Sequence, residues 1–306
     1  MNRLRTLLRF AAFPLLFGGA GLAAWVGHTP ESAAWLMPAI VAAVLFLTFG
    51  LERVVPYADR WNAGPDAGAD LVYLGATSAV VAVAEAAVWG VAVVLLGLWS
   101  GGTLWPAGWP VAAQIPLALV IGDFLPYLYH RASHESRGFL WRVHAIHHAP
   151  ERLYGFNFAR FHPVNAFLTA ALTLLPLALL GAPAEVLFVA GVLHNVHGVL
   201  SHANVDFRLG PLNAIFSMAE LHRWHHARDP RWANGNYGAT VLVWDWLFGT
   251  RRYPGRGVAD DGVGLWAGSA VPRRLRDQWL YPFADLGSRV VRRFGRIRCG
   301  CCCPTA

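Results

Sequence analysis

Two copies of the pattern His-x-x-His-His stand in this sequence, His144-Ala-Ile-His147-His148 and His222-Arg-Trp-His225-His226. A third cluster, His130-Arg-Ala-Ser-His134, precedes the first. With 13 histidines in 306 residues, chance supplies one such pattern in roughly 0.02 of chains and two in about 10⁻⁴. A neutral imidazole offers a nitrogen lone pair at pH 7 without burying a negative charge, so histidine is the commonest metal ligand. Three clusters of this kind point to a centre that holds more than one metal ion.

Helical geometry accounts for the spacing inside each cluster. His130 and His134 are one turn apart on one face, where both rings reach a single ion. His144, His147 and His148 stand at i, i+3 and i+4 on one stripe, and His222, His225 and His226 repeat the arrangement. These eight histidines supply four nitrogens to each of two ions, with positions left open for oxygen or substrate. The bland alternative, surface imidazoles capping carbonyls, explains one isolated pair but not three clusters.

The elements that must position them are membrane helices. The chain is 56% hydrophobic and 14% charged, with a mean hydropathy of +0.40. That balance is outside the range of soluble domains. Runs of about 20 apolar residues, enough to cross a bilayer, fall at 10–27, 33–51, 71–99 and 111–129. A further apolar stretch, 166–193, is broken by Leu180-Gly181-Ala182-Pro183 into a hairpin. The first run also has the layout of a secretory leader, but a second apolar run follows it at once. The expected fold is an all-α integral membrane bundle of about four spans plus the broken hairpin, with a histidine-lined cap. Residues 1–129 form the spans, 130–253 the catalytic region with its hairpin, and 254–306 a basic tail.

The net charge of +7 lies at the N-terminus and in the last third, beside apolar spans. It reads as membrane topology and not as a nucleic-acid surface. Arg3, Arg5, Arg9 and Arg53 mark one side, and the loops at 28–32 and 100–110 lack arginine. The arginine-rich side is expected to be cytoplasmic, in an inner or plasma membrane, with all three clusters and the tail facing it. Glu85, a carboxylate within the third span, is a functional candidate by position; Gln114 is its expected polar contact.

The same residues resemble the fatty acid hydroxylase and sterol desaturase superfamily of membrane non-haem di-iron enzymes. The match runs through Asp123, His130-Arg-Ala-Ser-His134, Leu140-Trp141-Arg142-Val143-His144-Ala145-Ile146-His147-His148 and Arg160-Phe161-His162-Pro163. It continues through His202-Ala203-Asn204, His222-Arg-Trp-His225-His226, Asn236-Tyr237-Gly238 and Trp244-Asp245-Trp246-Leu247-Phe248-Gly249-Thr250. It covers residues 120–250. The resemblance implies about ten imidazoles on two iron ions, adding His202 and a partner; His197 is the first choice and His194 the alternative. It also implies that His162 positions the chain without ligating. Asp123, Asn236 and Asp245 are candidates to orient the ligands from behind. The implied chemistry is oxygen-dependent hydroxylation, or desaturation, of a C–H bond in a lipid: fatty acyl, alkylglycerol, sphingoid or sterol. Imidazole also suits zinc, so the sequence does not choose the metal, and a zinc-filled protein would be inactive in redox chemistry.

The electrons must come from a separate ferredoxin, cytochrome or reductase. The sequence carries no His-Pro-Gly-Gly haem motif and no Gly-x-Gly-x-x-Gly unit. Rival classes fit less well. A haem cytochrome needs single histidines inside its spans. A metal-binding protein or transporter does not need two equivalent boxes. A zinc protease needs a second histidine that the stretch after His134-Glu135 lacks. Trp224, Trp232, Tyr237, Trp244 and Trp246 read mostly as an interfacial belt. The tail arginines (Arg273, Arg274, Arg276, Arg289, Arg292, Arg293, Arg296, Arg298) read as contacts to anionic headgroups. Cys299, Cys301, Cys302 and Cys303 are expected to be reduced thiols.

Overall fold

The computed structural model describes residues 3–62, 67–98, 102–136, 138–255, 257–267, 269 and 271–284. The last five tail arginines and all four cysteines lie outside the described residues. The helices in chain order are α1 (Arg3–Gly27), α2 (Ala33–Val54), α3 (Ala67–Gly97), α4 (Val111–Glu135), α5 (Phe139–His148) and α6 (Pro163–Leu180). They continue with α7 (Ala184–His202), α8 (Ala219–His225), α9 (Pro230–Ala233), α10 (Val243–Leu247) and α11 (Leu275–Leu280). Among the described residues the only β pairings are isolated bridges. Helices α1 to α4, α6 and α7 are each long and apolar enough to cross a membrane, so the all-α bundle with four spans and a broken hairpin stands.

Burial separates the spans by role. Only 17% of the most apolar window of α3 is buried, against 61% for α7. Leu71, Val83 and Val93 of α3, and Leu98 just beyond it, are exposed, as lipid-facing side chains must be. The inner helix is α7, which packs against α1, α2, α4 and α8. The first helix belongs to this packing: Phe13 of α1 is buried and meets Phe17 and Phe216 at ring distances of 5.2 and 5.4 Å.

The α6–α7 break has a local cause. Gly181 adopts φ +81°, and its N–H and that of Ala182 donate to Leu177 and Ala178 carbonyls, closing the helix with a left-handed cap. A side chain here would also strike Thr103 Oγ1, 2.3 Å from the ideal Cβ position. Two helices overrun their expected ends. The fourth apolar run ends near residue 129, but α4 runs on to Glu135 and carries His130 and His134 on its last turns. Likewise α7 runs past 193 to His202. Loss of apolar character marks where the bilayer ends, whereas backbone hydrogen bonding continues beyond it.

Two buried acids lock the connections around the histidine-bearing ends. Glu52, at the end of α2, accepts from Gly155 N at 2.7 Å and Asn204 N at 3.1 Å. Asp70, on the first turn of α3, pairs with Arg160 at 2.9 Å and accepts from Tyr154 and Asn157. The segments leading into α6 and out of α7 are thereby fixed. Glu85 does not meet Gln114, whose amide is taken by Trp105 Nε1 and the Trp109 carbonyl, both at 2.6 Å. The carboxylate lies instead on the exposed face of α3.

Candidate metal centre

The structure gathers nine histidines into two adjoining groups. His130, His134, His144, His148 and His225 form the first; His147, His202, His222 and His226 form the second. Within each group the candidate donor nitrogens lie within 4.8 Å of one another. The single-stripe expectation for the boxes is corrected here, because each box divides between the groups. At 100° per residue, i and i+4 lie 40° apart while i+3 falls about 60° to the other side of i. The His144/His148 pair therefore enters the first group and His147 the second; His222/His226 enter the second and His225 crosses to the first.

Hydrogen bonds at the far side of the rings show which nitrogen faces inward. The Nδ1 atoms of His130, His225 and His202 bond the carbonyls of Tyr237, Gly235 and Gly198 at 2.8, 2.9 and 2.8 Å. His144 Nδ1 bonds Asn165 Oδ1 at 3.1 Å, and His134 Nδ1 faces Asn234 Oδ1 at 3.4 Å. A neutral imidazole has one N–H, and a carbonyl can only accept it. For these rings Nε2 is left as a lone pair pointing into the group.

The inward nitrogens are closely spaced. In the first group, His148 Nε2 lies 3.1 Å from His134 Nε2 and 3.0 Å from His144 Nε2. In the second, His202 Nε2 lies 3.1 Å from His147 Nε2 and 3.0 Å from His222 Nε2, which is 3.1 Å from His226 Nε2. Converging lone pairs repel unless a cation lies between them. Two nitrogens at right angles around an ion, each about 2.1 Å from it, stand about 3.0 Å apart. The buried Nε2 atoms of His130 and His225 meet no hydrogen-bond partner, as expected of donors reserved for an ion. Nine imidazoles without a carboxylate suit divalent iron, zinc or a neighbouring transition metal, and the residues fit a pair of such ions.

Electrostatics prepares the ligands. Burial, reinforced by neighbouring imidazoles, holds His147, His148, His222 and His226 well below the usual histidine range. The same forces act on His144 and His225. These rings stay neutral near pH 7, the form a metal requires.

Three of the first group's five rings, those of His130, His134 and His225, rest on a single loop, residues 234–241, gripped by two carboxylates. Asp245 Oδ1 and Oδ2 accept from Tyr237 N at 2.9 Å and Gly238 N at 2.7 Å. Asp123 Oδ2 accepts from Thr240 N and Val241 N, both at 2.7 Å. Asn236, at φ +56°, ties the loop to Arg252 and to the Leu221 carbonyl. Asp123, Asn236 and Asp245 thus act on the loop whose carbonyls hold His130 and His225, and touch neither ring. Gly238 is required, since a Cβ there would lie 2.2 Å from the Val241 carbonyl.

His197 is not brought into either group. It is buried between Phe17 and Phe216, at ring distances of 6.4 and 6.3 Å. Five residues of regular helix turn about 500°, which leaves it about 140° from His202. His194 is also outside the groups, bonded through Nδ1 to Thr240 Oγ1 at 2.9 Å. His162 caps α6 by accepting from Val164 N and donates through Nε2 to the Trp279 carbonyl. Asn165 and Asn234 were missed; the one signal for Asn165 is an amide at the start of an apolar helix.

Aromatic rings close the centre. Trp141 stacks on Trp266 at 4.0 Å, and both flank His134, at 5.4 and 6.1 Å. Ser269 accepts from Trp141 Nε1 at 2.9 Å. Of the expected belt, Trp246 is exposed, whereas Trp224 is buried against Trp232 and Tyr237 is buried beside His130. Proximity to the centre places Tyr237, and packing with Ala58, Trp61 and Leu153 places Trp224.

Comparison with known proteins covers the same region. The family model described as fatty acid hydroxylase matches residues 115–250. The chain is 37% identical over 246 residues to an ornithine lipid hydroxylase of Rhizobium tropici, covering 78% of this chain and 73% of that one. It is 32% identical over 133 residues to an alkylglycerol monooxygenase of Caenorhabditis elegans, covering 43% of this chain and 26% of the relative. It is 31% identical over 149 residues to a methylsterol monooxygenase of Arabidopsis thaliana, covering 48% and 55%. No solved structure matches the chain.

Proposed function

The chain belongs to the fatty acid hydroxylase family, and on that premise we propose that it is a di-iron monooxygenase that hydroxylates a C–H bond of a membrane lipid. It is an oxidoreductase of lipids, as its relatives' names indicate. The overall reaction balances as R–H plus O2, two electrons and two protons giving R–OH and water. The observation that carries the reading is the pair of adjoining all-imidazole groups at the ends of membrane helices. Bound iron supplies the oxygen activation needed to break an unactivated C–H bond.

The protein's own part is orientation and exclusion. His130, His134, His144, His148 and His225 would hold one ion, and His147, His202, His222 and His226 the other. The 234–241 loop and Asn165 keep the inward nitrogens aimed, and the Trp141–Trp266 stack keeps bulk water from the first group. Two electrons per turnover come from a separate ferredoxin, cytochrome or reductase. In the proposed orientation the histidine end and the C-terminus face the cytoplasm, where such donors reside. Hydroxylation is favoured over desaturation because the three relatives named above carry hydroxylase and monooxygenase names.

The test is elemental analysis of the detergent-purified protein after anaerobic iron reconstitution, followed by incubation with lipid extract, a reductant and isotopically labelled oxygen gas. About two irons per chain and a labelled hydroxyl on a lipid support the reading. Negligible metal, or no oxygen-dependent lipid product, would overturn it.

A further inference from the structure

We propose that the two groups bind their ions unequally: the first fills first and tightly, and the second is a weaker, exchangeable site whose filling completes the centre. The difference lies behind the rings. In the first group four of the five rings meet an acceptor at Nδ1. These are the Tyr237 and Gly235 carbonyls for His130 and His225, and the side-chain oxygens of Asn165 and Asn234 for His144 and His134. In the second group, among the described residues, His202 alone has such an acceptor, the Gly198 carbonyl. The Nδ1 atoms of His147 and His226 are buried and meet no partner.

Proton placement turns this difference into affinity. An acceptor at Nδ1 keeps the proton there, leaves Nε2 as a lone pair, holds its direction and raises its basicity. His147 and His226 receive no such support. To ligate through Nε2, each must carry its proton on Nδ1 as a buried donor without an acceptor, which is unfavourable. Stacking is what holds these rings. His147 lies on Phe161 at 4.3 Å and 18° from parallel, and His226 lies on His148 at 4.2 Å. A stack resists tilting of a ring but accepts no proton from it. Donor number acts in the same direction, five nitrogens against four. Losing one outer partner of a metal-bound histidine costs about 10- to 100-fold in metal affinity. The second ion is therefore expected to bind at least about tenfold more weakly than the first.

Between the two affinities the protein carries one ion, in the first group, and lipid oxidation waits on the second. This inference rests on the two-ion reading, so its test reads metal content and not activity. Zinc is the probe, because it suits imidazole and undergoes no redox change. The detergent-purified protein would be dialysed against chelator-buffered zinc at graded free concentrations, and bound zinc measured by elemental analysis. The wild type is expected to fill in two steps of one ion each, with midpoints at least about tenfold apart. His226→Ala should remove the weaker step and keep the tighter one. Asn165→Leu takes away only the acceptor behind His144. It should shift the tighter step about tenfold or more toward higher free zinc and leave the weaker step in place, which gives a second variant should the first not fold. Two ions binding in a single step would overturn the proposal and leave the two-ion reading standing. Loss of the tighter step in His226→Ala, or an unmoved tighter step in Asn165→Leu, would also overturn it. Less than about one zinc per chain at saturation would overturn both readings together.

Discussion

His148 and His226 stack ring on ring, 4.2 Å apart and 22° from parallel, although each belongs to a different histidine group. Their contact makes the wall between the two groups a shared one, built from one box of each half of the catalytic region. The groups are unequal in number on its two sides, and ligand removal should expose that inequality.

His147→Ala leaves three nitrogens in the second group, whereas His148→Ala leaves four in the first. After iron reconstitution, His147→Ala is expected to hold close to one metal per chain and His148→Ala closer to two. Both should lose lipid oxidation. Elemental analysis with chromatography in detergent checks this; full metal and full activity in His147→Ala would refute the assignment.

Asp245→Asn keeps the size of the side chain but removes the charge that grips the Tyr237 and Gly238 amides. The first group's ion should leave about 10- to 100-fold faster under a chelator, with the second group's rate unchanged. Gly238→Ala should act in the same direction and more severely, given the 2.2 Å approach of its Cβ to the Val241 carbonyl. Equal acceleration of both ions would instead indicate general loosening.

Burial holds the His162 pKa below its ordinary value of about 6.5. Between that value and the lower native one, the unfolded chain binds more protons than the folded chain. The stabilisation is therefore complete above pH 6.5 and is lost as pH falls below it. Protonation of Nδ1 also ends its acceptance from Val164 N. Thermal unfolding of the wild type and His162→Asn, followed from pH 8 to pH 5, should show the gap between them closing on acidification. A gap that widens toward low pH would contradict this.

Arg160→Met leaves Asp70 buried without its cation. Breaking such a pair costs roughly 3–5 kcal/mol, so the variant should aggregate at a clearly lower temperature in detergent. Replacing both partners with apolar residues should recover part of the loss. No change in the single variant would mean that water reaches Asp70.

Much of this arrangement is legible in the sequence because it is local. The spacing of His130 and His134, the two His-x-x-His-His boxes and the Gly181-Ala182-Pro183 break all act within one or two helical turns. The offset of i+3 from i and i+4 within each box is local, but which other rings meet each side of a box is not, since that depends on where α4, α5, α7 and α8 are brought together. The supports behind the rings were harder still. Carbonyls of Gly198, Gly235 and Tyr237 do that work, and a carbonyl carries no residue identity. Asp123 shares a face of α4 with His130 by its register, but it grips the 234–241 loop and not a ring. Its partners were not foreseen, because Thr240 and Val241 lie over a hundred residues away.

Trp266 has a consequence in time as well as in space. It follows all nine gathered histidines in the sequence, and it closes over His134 only by stacking on Trp141. A ribosome therefore releases every ligand before it releases this cover. Until it arrives, Trp141 flanks His134 without the ring it stacks on in the finished protein.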